Sequence, residues 1–235
     1  MSEPPSVHQP AAARRPWAPV VTGALALAGL IAAALLDRPV FHAFHTTGAR
    51  LDRPLWAALD ALGLPTFREP VVTHIFNAAG IFGLWLLVAC GYVVRDGLRC
   101  HWTSRRHVLL RAGAILLPTL AAGLAGEALK VAIRRERPLD QAEYRFRPWG
   151  QDWFATSGLG MPSTHAAVAA AAASALARLH PRRRLLWAAA ALGCMVTRLQ
   201  VDETGEVAHF LSDVYVGGML GWGAEKLLNR RLGRP

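Results

Sequence analysis

His209 and Asp213 stand four residues apart in an apolar stretch near the end of the 235-residue chain, a spacing that puts both side chains on one helix face. A carboxylate so placed accepts a hydrogen bond from one ring nitrogen and leaves the other free and basic, as in an oriented nucleophile or general base. The competing reading is a buried structural His–Asp pair, which would set two ionisable groups in an apolar helix for modest net stabilisation. As metal ligands the two are poor, because no third and fourth ligand follows at a recognisable spacing. Neither a metal nor another cofactor is expected.

A second group is cationic. Lys130 and Arg137 are seven residues apart, close to two helical turns, with Arg134 at the intermediate i+4 position and Pro138 immediately after. Such a stripe suits a multiply charged oxyanion, since guanidinium groups bind phosphate oxygens in pairs and Lys adds a point charge. It equally suits a snorkelling cluster facing anionic headgroups. Glu127, one turn before Lys130, is expected to be its ion-pair partner, with a contact between helices as the alternative. The third group is Met161-Pro162-Ser163-Thr164-His165, followed by a nearly pure Ala/Val run. Pro suits a first helical turn, Ser and Thr cap it, and the free amides there attract anions. His165 would stand beside a bound phosphate, placed to protonate a leaving oxygen. An ordinary capped helix with a boundary histidine is the alternative.

These groups need rigid elements to carry them. Hydrophobic residues make up 53% of the chain and charged ones 18%, which excludes a disordered polypeptide. The apolar residues gather in blocks long enough to cross a bilayer, beginning with Trp17 to Leu36, twenty residues without a charge. Further blocks run over 71–94, 108–133, 161–179, 185–200 and 207–228. The reading is an all-α, polytopic membrane protein: a bundle of six transmembrane helices forming one domain over 17–228, after a polar N-terminus at 1–16 and before a basic tail at 229–235. The polar connection 37–70 carries amphipathic pieces such as Leu55–Leu59 that suit the membrane surface. The net charge of +10 is divided among loops between apolar blocks and forms no continuous basic face, so no nucleic-acid partner is expected. Three cysteines make no disulfide framework.

Loop charge sets the orientation. One set of short loops holds fourteen Lys and Arg residues and the opposite, longer set eleven, so the denser set is expected on the cytoplasmic side. Both termini then face the cytoplasm, and the loop Arg134 to Gly160, the segment around Val201 to Glu206 and their flanking helix ends meet on the outer side. Trp149, Trp153 and Trp222 are expected in interfacial belts.

Together the three groups resemble the type 2 phosphatidic acid phosphatase and haloperoxidase superfamily, over roughly Lys130 to Gly218. Its first motif, Lys, six residues, Arg-Pro, is intact as Lys130 to Arg137-Pro138. The second, usually Pro-Ser-Gly-His, reads Pro162-Ser163-Thr164-His165. The third, Ser-Arg, five residues, His, three residues, Asp, reads Thr197-Arg198 and then His209 to Asp213, with ten intervening residues in place of five. The resemblance implies a metal-independent membrane lipid phosphatase working through a phosphohistidine. His209 would attack phosphorus, Asp213 orient it, and His165 protonate the leaving group and later activate water. Lys130, Arg137 and Arg198 would hold the phosphate oxygens, with Ser163, Thr164 and nearby amides adding hydrogen bonds. Asp202, Glu203 and Glu206 in the lengthened segment would repel phosphate unless turned outward or paired with Arg145 or Arg147.

The implied partner is a lipid phosphate presented by the bilayer of the inner membrane, with the site on its outer, periplasmic side. Polyprenyl diphosphate, phosphatidic acid, phosphatidylglycerol phosphate and lipid A phosphates all fit. The long loops 37–70 and 139–160 are expected to shape the headgroup pocket. A lipid phosphotransferase and a non-catalytic lipid-phosphate binding or transport module are the alternatives.

Overall fold

The computed structural model describes residues 17–48, 50–62, 71–99, 105–138, 142–201 and 207–232. The fold is all-helical, and its only β features among the described residues are three isolated bridges. Helix α1 (Ala18–Thr47) is followed by α2 (Arg53–Ala61), α3 (Val71–Ala78), α4 (Phe82–Arg99), α5 (Arg105–Ile133), α6 (Thr164–Leu179), α7 (Arg184–Thr197) and α8 (Leu211–Leu232).

Among the described residues two helices, α1 and α5, are long and apolar enough to cross a membrane, and α3 with α4 make a third candidate if counted as one bent span. The stretch 71–94, read from the sequence as a single crossing, breaks at Ala79–Ile81 with a bend of 67°. The break is locally satisfied: Trp85 Nε1 donates to the Ala79 carbonyl at 2.8 Å and the Gly80 amide to Asn77 O at 2.9 Å. Helix α1 also departs from its expected exit at Asp37. It continues through Pro39 and stops at Gly48, whose φ of 54° gives a left-handed cap. Asp37 is wholly buried inside this helix and hydrogen-bonded to neighbouring elements, so its charge marks no end. The amphipathic piece expected around Leu55–Leu59 lies in α2.

Helix α6 is the hub, packing against α5, α7 and α8. Its buried face is mostly alanine, which contributes little apolar area per residue but lets backbones approach closely. Helix α8 answers with Gly217 and Gly221, one turn apart. A Cβ at the first would collide with the Ser163 carbonyl and at the second with the Ala167 carbonyl. Larger side chains fill the space beyond, where Trp85, Ile115, Val168, Leu176 and Cys194 form one cluster. The ends away from His165 and His209 are tied by charge: Arg178 meets buried Glu225 at 2.6 Å, and Asp96 pairs with Arg95 and Arg111.

Candidate active site

The site forms where the last turn of α5 meets the first turns of α6 and α8 and the end of α7. Lys130 Nζ lies 2.8 Å from Glu127 Oε1, the expected i,i+3 pair. The same carboxylate oxygen accepts the Thr164 hydroxyl at 2.5 Å, so Thr164 has only its backbone N–H left to offer an anion.

Beyond Ile133 the helical register ends, because Arg134 takes a φ of 60°. Its guanidinium turns away and donates to the carbonyls of Arg147, Pro148 and Gln151. The i+4 stripe therefore does not include Arg134, which anchors the loop. Three backbone bonds hold the following residues against that loop: Glu136 N to Arg145 O at 2.9 Å, Arg137 N to Gly158 O at 2.9 Å, and Gly160 N to Arg135 O at 2.7 Å. Segment 142–160 thus fixes the distance between Arg137 and the start of α6. Arg145 pairs with Glu143, and Arg147 with Glu136; Asp202, Glu203 and Glu206 lie outside the described residues.

One cavity of about 460 Å³ is lined by Lys130, Arg137, Thr164, His165, Arg198 and His209, together with Glu127. Six of the eight residues singled out in the sequence converge on it. The other two, Ser163 and Asp213, sit behind it in mutual contact: both are buried, and the Ser163 amide donates to the Asp213 carbonyl at 3.0 Å. The Ser163 hydroxyl is buried without a hydrogen-bond partner. Three cations against one carboxylate leave the cavity with excess positive charge. Its remaining wall is apolar and runs along Ile81, Phe82, Leu120, Leu124 and Val168.

His209 precedes α8 and lies in the non-helical stretch leading into it, 3% exposed. Its Nδ1 is 3.6 Å from Asp213 Oδ2, oriented by that carboxylate but beyond hydrogen-bonding distance, a separation that substrate binding commonly tightens. Asp213 Oδ2 meanwhile accepts the Phe210 amide at 2.9 Å. Burial holds the imidazole pKa below its ordinary value although Asp213 pulls it upward.

Four contacts around these residues escaped the sequence reading. Asn77, at the end of α3, accepts Arg198 Nη1 at 3.1 Å. Gly80, in the α3–α4 break, lies so close to His165 that a Cβ there would stand 2.6 Å from its ring. Arg135 donates to Asp213 through Nε at 3.1 Å, and Asp37 of α1 accepts the Ser212 amide at 2.7 Å. Only Asp37 left a signal, as the carboxylate that ends the charge-free run Trp17–Leu36. The other three depend on contacts between distant segments. Among the described residues, no three His, Cys, Asp or Glu side chains converge as metal ligands would.

Residues 111–232, just over half of the chain, match the family model of the PAP2 superfamily. No curated protein matches the chain, and neither does any solved structure.

Proposed function

The chain belongs to the PAP2 superfamily, and from that premise we propose that it is an integral membrane phosphatase that cleaves the phosphomonoester or diphosphate of a lipid through a phosphohistidine. One observation carries the reading: Lys130, Arg137, Arg198, His165 and His209, drawn from separate segments, line a single cavity whose other wall is apolar. Phosphoryl transfer needs mainly in-line positioning and neutralisation of charge on three oxygens. The three cations supply the neutralisation, each preorganised donor contributing about 3 kcal/mol to barrier lowering.

His209 Nε2 attacks phosphorus as the P–O bond to the lipid breaks, and His165 gives its proton to the departing oxygen. Water then attacks the phosphohistidine, His165 takes the water proton, and the N–P bond breaks. Asp213 favours the tautomer with hydrogen on Nδ1 and so leaves Nε2 as the nucleophile. The apolar wall is suited to the first part of a lipid chain while the headgroup stays among the cations. The chain then crosses the inner membrane six times, with α3 and α4 counted as one crossing and the site opening at the outer leaflet.

The test is phosphate release by purified protein in detergent with chelator present, from a panel of lipid phosphates. His209→Ala is expected to reduce turnover to background. Arg198→Ala should lower kcat/KM by about 10²- to 10³-fold. Parental rates in His209→Ala would remove the phosphohistidine, and an apolar phosphate ester turned over no faster than a water-soluble one would remove the lipid assignment.

A further inference from the structure

Behind the cavity lies a buried charge network of which the chemistry described so far uses only Asp213. Arg135, 6% exposed, donates to Asp213 Oδ1 through Nε at 3.1 Å and again through Nη2, which also reaches Ser212 Oγ at 2.7 Å. Ser212 bridges onward to Asp37: its amide donates to Oδ1 at 2.7 Å and its hydroxyl to Oδ2 at 2.5 Å. Tyr144 donates to Asp37 Oδ2 at 2.8 Å, and Arg135 Nη1 lies 4.0 Å from that oxygen. Burial, with Asp37 beside it, pushes Tyr144 up to about 12, which keeps its hydroxyl a donor. Asp37 and Asp213 are both wholly buried.

Two carboxylates share one guanidinium in a setting where each uncompensated charge is costly. A simple structural tie would need one carboxylate. Attack by Nε2 leaves a proton on Nδ1 and a positive charge on the phosphorylated ring, and the surplus negative charge of the network lies on the Asp213 side of that ring. We infer that Asp37 and Arg135 are positioning residues for His209: Arg135 clamps Asp213 Oδ1 so that Oδ2 faces Nδ1, and Asp37 fixes Arg135 and Ser212 while restoring the negative charge that Arg135 withdraws. This makes α1, which lies outside the matched residues 111–232, part of the catalytic apparatus. The inference rests on the phosphohistidine reading.

Around His209 the charged and titratable groups are Asp213 on α8, Arg198 at the end of α7, Arg137 beyond α5 and His165 on α6. The network changes that balance in opposite senses when its two members are neutralised. In Arg135→Gln two carboxylates are left without their cation, the imidazolium is favoured, and the acid limb of kcat/KM moves to higher pH. In Asp37→Asn the guanidinium bears undivided on Asp213, the imidazolium is disfavoured, and the limb moves to lower pH. A displacement of about half a pH unit or more is expected in each. Both variants should lose about 10- to 100-fold in kcat, while KM and product inhibition by inorganic phosphate stay within about twofold, because Lys130, Arg137 and Arg198 are untouched.

Measuring these profiles in detergent alongside His209→Ala separates the two ideas. Turnover retained by His209→Ala removes the phosphohistidine itself. A dead His209→Ala beside Asp37→Asn and Arg135→Gln with parental kcat and pH limb overturns the network alone, as do shifts in the same direction. If either neutral variant fails to fold, Arg135→Lys carries the test: it keeps the charge but lacks the fork that reaches both Asp213 and Ser212. Its kcat should fall at least about tenfold with the acid limb unmoved, and a parental kcat overturns the inference.

Discussion

His209 shows how burial sets the working pH of a single group. The largest single influence on its ring is desolvation, which lowers the pKa; Asp213 pulls it upward, while Arg198 and Arg137 add to the lowering, and the net shift is downward. A nucleophilic imidazole must be unprotonated, so the acid limb of kcat/KM is expected below the ordinary histidine value of about 6.5. Stability follows the same sign. Above that value both folded and unfolded chains carry a neutral ring; below it the unfolded chain takes up a proton that the buried ring refuses, and stability falls as pH drops toward the folded pKa. The pH profiles of Tm and of kcat/KM test this together, with His209→Gln as the comparison. A limb above the ordinary value, or acid sensitivity of Tm unchanged in His209→Gln, would contradict a buried neutral nucleophile. Thr164 illustrates the other side of residue-level reading. It occupies the place where the motif usually has glycine, and its hydroxyl is turned to Glu127 on α5. The added side chain thereby joins α6 to α5.

At the scale of elements, the approach of α8 to α6 sets the relation between His165 and His209, and Gly217 and Gly221 permit it. In Gly221→Val the Cβ alone would collide with the Ala167 carbonyl and the Ala171 amide nitrogen, and the added methyl groups need still more room, so the helices must separate or folding is abolished. Overpacking of this kind costs about 1–3 kcal/mol, so Tm should fall by roughly 5 °C or more and phosphatase activity with it. Gly223→Ala, which meets nothing within 4 Å, should leave both unchanged. Equal Tm and activity in the two variants would show that this contact does not set the site.

The sequence also shows where element-level reading stops. The motif residues could be read because each lies within a turn or two of a helix end, where local spacing decides direction. Periodicity failed at Arg134, whose left-handed backbone ends the i+4 relation with Lys130, and at Ala79–Ile81, where an apolar stretch conceals a bend that Trp85 and Asn77 satisfy. It also failed at Asp37, because a lone acid in an apolar helix looks like a helix exit until its partners, 175 and 107 residues away, are brought beside it.

For the whole molecule the question is sidedness. Lys130, Arg137, His165, Arg198 and His209 line one cavity, while Tyr92, Arg111, Arg178, His180 and Lys226 line another, drawn from the opposite ends of α4, α5, α6 and α8. The loop at the first end exposes Trp149, Trp153 and Phe154 at 64%, 54% and 88%, aromatic area that suits a headgroup layer. The second end adjoins the short, densely basic segments that favour the cytoplasm. On the proposed six-pass reading, the phosphate cavity faces outward. A charged short-chain lipid phosphate crosses a sealed bilayer poorly, since taking an ion through hydrocarbon is expensive, so it reports which face carries the site. Right-side-out vesicles containing the protein should release phosphate without detergent, and inverted vesicles only after detergent opens them, with His209→Ala vesicles giving the background of other phosphatases. Protease added to the same preparations should cut segment 142–160 only where the substrate is turned over. The opposite pattern would reverse the orientation, and turnover on one face with cleavage on the other would separate this loop from the site it is argued to hold.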